Sequence, residues 1–206
     1  MPAPLLVLGT RNRKKGLELL ELLAPLGLAV QTLADFPNSI EIDEDRDTFA
    51  GNATKKAVDQ ALHLKQWVLG EDSGLSVDAL KGAPGVYSAR FSGEGATDEK
   101  NNQKLIAELA GVPLDKRTAH YTCYAVLADA TGKVRFECQG ECHGRILLEP
   151  DGEGGFGYDP YFEIVEYHMT FGRLAPAVKR ALSHRGRALR QLVPEISRLL
   201  AAGEWR

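Results

Sequence analysis

Short apolar runs and helical stripes follow one another along the chain, which predicts strands and helices in turn. Pro4 to Gly9 is an apolar run of buried-strand type. After a polar turn through Lys15 comes a helical pattern with Leu17, Leu20, Leu23 and Leu26 on one stripe and Asn12 as its candidate N-cap. Leu28 to Leu33 reads as a second strand. An acidic segment, Asp35 to Asp47, opens into a helix predicted from Thr48 to about Lys65, capped by Thr48, with Ala53, Ala57, Ala61 and Leu64 along one face. A third run, Trp67-Val68-Leu69, stops at Gly70. Glu71-Asp72-Ser73-Gly74 then reads as a turn at a sheet edge, and Leu75 to Leu80 as a separate strand. Thr97 to Ala110 predicts a helix capped by Thr97 and closed by Gly111. Arg117 to Ala130 and Lys133 to about Leu148 are long and β-rich, with a hairpin signal at Ala130-Thr131-Gly132. The tail predicts a short helix near Pro176 to Leu182, then one from about Arg187 with Leu189, Leu192, Ile196 and Leu199 inward, kinked or divided by Pro194.

Alternating strands and helices predict an α/β fold. No repeat, low-complexity region or clear linker divides the chain, so residues 1–206 read as a single domain. A net charge of -3 supplies no global basic field for a nucleic-acid polymer, so any phosphate binding must be local. No apolar run approaches the roughly 20 residues of a membrane helix, and no signal-peptide pattern opens the chain; the expected location is the cytoplasm. Cys123, Cys138 and Cys142 suit a reducing compartment. Cys138, Cys142 and His143 invite a zinc reading, but no second CxxC-type pair completes it, so core thiols are the expectation.

Three stretches carry candidate chemistry. Glu71 and Asp72 are consecutive carboxylates, whose repulsion favours a cation between them; the alternative is an acidic turn. Lys15 lies in the first turn of a helix whose N-terminus is a ready anion site, or else marks a solvated basic helix start. No GxxxxGK[ST] P-loop occurs. Gly152 to Gly157 formally matches GxGxxG, but Tyr158 to Phe162 looks extended and holds Pro160, where a dinucleotide site needs a helix. The glycines read better as a flexible lip carrying Phe156 and Tyr158 to a flat ligand, with a core aromatic turn as the alternative. His184 and Arg185, at a helix start, are candidate donors, with a structural role as the alternative.

Taken together, the motifs resemble the inosine triphosphate pyrophosphatase (ITPase) family from Leu6 to about Leu189. Thr10-Arg11-Asn12-Arg13-Lys14-Lys15 stands for TGNxxK, and Phe49-Ala50-Gly51-Asn52-Ala53 with Lys56-Ala57 for FxENAxxKA. Glu71 to Leu75, Gly82 to Arg90, Gly155 to Pro160 and Ser183 to Gly186 follow in the family's order. The resemblance implies a long curved mixed β-sheet with flanking helices, two lobes with a central cleft, and a homodimer. It implies Mg2+-dependent hydrolysis of noncanonical purine nucleoside triphosphates (ITP, dITP and XTP) to the monophosphate and pyrophosphate, keeping them out of DNA and RNA. Thr10, Asn12, Lys15 and Lys56 are then expected at the phosphates, with Ser73 beside them. Glu44, Glu71 and Asp72 are expected as metal ligands, with Asp72 as the base and Lys15 and Glu71 beside it in catalysis. Phe156 is expected to stack on the nucleobase, with Tyr158, Asp159, Lys179, Ser183, His184 and Arg185 around base and sugar. The chain departs from the family pattern at Arg11, Gly51, Glu71 and Gly172-Arg173. A Maf-like pyrophosphatase and a non-enzymatic nucleotide-binding regulator are the competing readings.

Overall fold

A computed structural model describes residues 3–205. Its strands are β1 (Leu5–Leu8), β2 (Ala29–Thr32), β3 (Trp67–Val77), β4 (Thr118–Ala128), β5 (Val134–Ile146), β6 (Phe162–Ile164) and β7 (Met169–Thr170). Its α-helices are α1 (Arg13–Leu23), α2 (Phe49–Leu64), α3 (Asp98–Leu109), α4 (Pro176–Leu182) and α5 (His184–Ala201). The strands form one mixed sheet in the order β2-β1-β3-β4-β5-β6-β7. β1 is parallel to both β2 and β3, whereas β5, β6 and β7 pair antiparallel. The chain divides into two compact units, Met1–Asp72 with Cys123–Gly140 and Arg185–Arg206, and Ser73–Thr122 with Glu141–His184.

In the first unit the strands bury both faces, and the strand period of two sorts their residues. Leu6, Leu8, Leu69, Ala125 and Leu127 meet Leu19 and Leu23 of α1 and Leu189, Leu192, Ile196 and Leu199 of α5. Val7, Val68, Val126 and Ala128 meet the alanine face of α2 at Ala53, Ala57 and Ala61. Trp205 closes this unit by stacking on Trp67 at 4.1 Å between ring centroids. In the second unit Leu105 and Leu109 of α3 join Leu75, Val77, Ala119, Tyr121, Ile146, Phe162 and Phe171.

The predicted helix caps are present: Asn12 accepts from Lys14 N and Lys15 N, Thr48 from Gly51 N, and Thr97 from Lys100 N. Several expectations are corrected. α1 buries Gly16, Leu19 and Leu23, leaving Leu17 53% exposed, because leucines crowd two adjacent stripes and only packing selects one. β3 is a single strand of 11 residues in the sheet interior, and its Glu71-Asp72-Ser73-Gly74 segment does not turn. Gly70, which suggested a stop, is required by close approach: a Cβ there would lie 2.4 Å from Ala53 O and 2.6 Å from Ala57 N of α2. α5 begins at His184 and passes unbroken through Pro194, which lies on its exposed face, where a missing backbone N–H is least costly. Tyr158 to Tyr161 forms a turn, with Tyr161 N and Phe162 N both donating to Tyr158 O. The glycines before it are tied down, since Gly154 N donates to Gly172 O and Gly172 N to Asp159 O, so the predicted flexible lip is a hydrogen-bonded loop.

Candidate active site

The strand order reverses around β1. The chain leaves it for β2 through α1 and returns to its other side at β3, the arrangement whose carboxyl ends hold ligands in open α/β sheets. β1 ends at Leu8, Gly9 N donates to Leu69 O at 2.8 Å, and β3 continues past it to Glu71 and Asp72, which are 2% and 4% exposed. Because β3 stays extended, its side chains alternate and the two acids belong to different networks.

Asp72 faces α2. Its Oδ1 accepts from Lys56 Nζ at 2.9 Å and its Oδ2 from Asn52 Nδ2 at 3.1 Å. The same Lys56 ammonium reaches Glu44 Oε1 at 3.0 Å and donates to the Glu71 carbonyl at 3.1 Å. Burial raises the Asp72 carboxyl above the usual aspartate range despite its lysines. Burial alone would lower Lys56, but the charges of Asp72 and Glu44 raise it overall, so the ammonium keeps its proton. The acidic segment is largely exposed, yet one face of α2 pins it. Asn52 Oδ1 accepts from Arg46 N, Lys55 Nζ holds Asp43 O and Asp45 Oδ1, and Gln60 Nε2 donates to Ile40 O.

Glu71 faces α1 and α5. Arg185 Nη2 donates to its Oε1 at 2.7 Å, Lys15 Nζ lies 3.4 Å from its Oε2, and the Cys123 thiol donates to Oε1 at 3.4 Å. The other Arg185 amino group, Nη1, pairs with Glu18 of α1. Arg185, expected near the base and sugar, is therefore committed to two carboxylates of the first unit. Thr10 Oγ1 accepts from Asn12 N, and Asn12 Oδ1 caps the helix, so both shape the turn that carries Lys15. Arg11, which replaces a glycine of the family motif, reaches Ser39 O and Oγ.

The second unit holds the remaining expected residues. Asp159 Oδ2 accepts from Phe156 N and from Lys179 Nζ, each at 2.7 Å, and the Lys179 ammonium stands 4.9 Å from the Phe156 ring centroid. Tyr158 is 4% exposed and donates its hydroxyl to Ser88 O, which makes it a core aromatic. His184 stacks on Tyr121 at 4.7 Å, and Ser183 is buried beside it in sequence. Ser73 follows Asp72 along β3 and is half-buried.

Among the described residues no three His, Cys, Asp or Glu side chains converge as a ready-formed metal centre. Glu44 and Asp72 converge on one ammonium, while Glu71 turns to Arg185 and Lys15, so the expected acid trio does not meet at one point. The Glu44–Asp72 pair nonetheless offers hard oxygen donors already gathered around a positive charge, a donor set that suits Mg2+. Sequence reasoning assigned no role to Asn52, Glu18 or Cys123. Asn52 had a readable signal, because Asn52, Lys56 and Gln60 recur at four-residue spacing beside the alanine face of α2 and are all buried.

The sequence profile of the Ham1 family matches residues 6–195, a span that includes both clusters of side chains. A dITP/XTP pyrophosphatase of Rhodopirellula baltica is 55% identical over 195 residues, which cover 95% of this chain and 94% of the relative. That of Desulforamulus reducens is 50% identical over 194 residues, covering 94% and 96%. Among solved structures, a HAM1 protein from Coxiella burnetii superposes with a TM-score of 0.86 at 36% identity, covering 96% of this chain and all of its own (100%). A nucleoside-triphosphatase, dITP/XTP pyrophosphatase, from Mycobacterium abscessus gives 0.75 at 37% identity, covering 92% and 99%. Since the match takes in Lys15, Lys56, Glu71 and Asp72 on one side and Phe156, Asp159 and Lys179 on the other, the chain belongs to the Ham1 family.

Proposed function

We propose that this protein is a nucleoside-triphosphate pyrophosphatase that hydrolyses dITP, ITP and XTP to the monophosphate and pyrophosphate with Mg2+. One observation carries the reading: Lys15 and Lys56 each meet a buried acid of β3, beside the N-terminus of α1. A triphosphate needs its charge neutralised, a positioned water and a base. Lys15 and the amide end of α1 supply fixed positive charge to the phosphates. Asp72, oriented by Asn52 and Lys56, accepts the proton of the attacking water. Glu71, held by Arg185, keeps Lys15 in place. Glu44 and Asp72 would hold Mg2+, which when bound would supply further positive charge to a triphosphate.

The cluster of the second unit suits a purine base. Phe156 offers a flat face, and the Lys179 ammonium beside it is a donor. Hypoxanthine and xanthine present an acceptor oxygen at position 6, where adenine presents an amino donor, so a 6-oxo purine pairs and adenine does not. The reading extends to protection of DNA and RNA from these nucleotides, to a homodimer and to a cytoplasmic location. No described helix is long and apolar enough to cross a membrane.

The test is pyrophosphate release from ITP, dITP, XTP, GTP, ATP and dUTP, each with Mg2+ and again in excess EDTA. The expected result is release from the first three, lost in EDTA, restored by Mg2+ or Mn2+ and poorly by Ca2+. Release of orthophosphate alone, equal turnover of ATP, or full activity in EDTA would each overturn the reading.

A further inference from the structure

Helix α3 presents Asp98 and Asn102, one turn apart, to the backbone of a single residue, Gly157. Asp98 Oδ2 accepts from Gly157 N at 3.0 Å, and Asn102 Nδ2 donates to Gly157 O at 2.9 Å. Gly157 stands between Phe156 and Tyr158, so both bonds act on the backbone that carries the Phe156 ring. From within, Asp159 holds Phe156 N and is itself held by Lys179. Gly157 N belongs to the peptide shared with Phe156 and Gly157 O to the peptide shared with Tyr158, so the two bonds to α3 hold the planes on both sides of the Gly157 Cα.

Asn102 is 8% exposed, and its Oδ1 is buried with no hydrogen-bond partner while its nitrogen is committed to Gly157. A side-chain amide that leaves a buried acceptor unmatched is a poor choice for stability alone, since an apolar residue of similar shape avoids that desolvation. The neighbouring Asn101 makes the contrast. Its Oδ1 accepts from Ser92 N and Oγ and its Nδ2 donates to Ala89 O, so it is matched at both ends. Asn102 is explained by what its donor does to the Gly157 carbonyl.

We propose that Asp98 and Asn102 are positioning residues for the nucleobase platform, fixing the two peptides that flank the Gly157 Cα and with them the plane of the Phe156 ring. The proposal rests on the reading of Phe156 as the stacking surface. An aromatic surface held in its binding orientation loses less freedom when the base arrives, so loosening it weakens affinity and spares the chemistry. The loss falls equally on every purine triphosphate, because stacking is indifferent to the position-6 group.

The experiment compares Asn102→Leu, Asp98→Ala, Asp98→Asn and Phe156→Ala with the double variant Asn102→Leu/Phe156→Ala. It reads kcat and KM for ITP and ATP, inhibition by inorganic pyrophosphate, and the melting temperature. Asn102→Leu and Asp98→Ala are each expected to raise KM about tenfold for both nucleotides, the worth of one hydrogen bond, with kcat and pyrophosphate inhibition nearly unchanged. Asp98→Asn keeps an acceptor oxygen and should restore KM. In the Phe156→Ala background, Asn102→Leu should add little, because both act through the same ring. If Asn102→Leu leaves KM unchanged, lowers kcat instead, or raises KM as much without the ring as with it, the positioning proposal is overturned while the stacking reading stands. If Phe156→Ala itself leaves KM unchanged, the stacking reading fails and the proposal with it.

Discussion

Asp72 receives hydrogen bonds from Asn52 and Lys56 of α2, whereas Glu71 receives charge from α1 and α5. The two are consecutive in sequence and act separately, which divides the consequences of mutation. Asp72→Asn keeps the shape and removes the proton acceptor; kcat for ITP is expected to fall about 10²–10⁴-fold with the melting temperature near wild type. A fall of less than about threefold would remove Asp72 from that role. Arg185→Ala strips a buried partner from Glu71 and Glu18, a change that typically costs about 3–5 kcal/mol in a buried ion pair. It should lower the melting temperature and reduce kcat/KM for ITP and ATP by the same factor. Loss confined to ITP would instead place Arg185 at the base.

At the scale of elements, α2 serves as both packing surface and site scaffold. Its alanines allow the helix to lie close on β3, and Asn52, Lys56 and Gln60 beside them reach Asp72, Glu44 and the acidic segment. The contact depends on Gly70, because any side chain there meets the backbone of α2. Gly70→Ala should therefore cost about 1–3 kcal/mol, the usual penalty for overpacking. Urea unfolding should show a lower midpoint at an unchanged slope. An unchanged midpoint would mean that the helix can withdraw freely. The helices were legible from their caps, because Asn12, Thr48 and Thr97 act on amides within three residues. The continuity of β3 was not, because Gly70 reports a contact with α2 that is distant in sequence.

The molecule as a whole should respond to alkaline pH through its buried thiols. Burial, with help from Glu137, pushes the Cys138 thiol from 9.0 to about 11, and burial with Glu71 raises Cys123 well above its ordinary value. Between pH 9 and 11 the unfolded chain loses the Cys138 proton that the folded chain keeps. Stability is therefore complete below that window and falls as pH rises through it. Cys138→Ala should flatten the decline of melting temperature across the window, with Cys123 continuing to contribute. A slope identical to wild type would show that Cys138 does not titrate differently on folding.

Composition, strand and helix periods and local capping chemistry were enough to determine an α/β chain and the starts of α1, α2 and α3. Each depends on interactions within a few residues, which a sequence displays directly. Tertiary structure alone decided which stripe of α1 is buried, that Glu71 and Asp72 lie on opposite faces of one strand, and that Arg185 serves Glu18 and Glu71. It also decided that α3 grips the Gly157 backbone on both sides of its Cα through Asp98 and Asn102. Those outcomes join residues that are 55 to 167 positions apart where hydrogen bonds define them. At such separations no local period or spacing carries a signal, and only the packing of helices on the sheet determines which side chains meet.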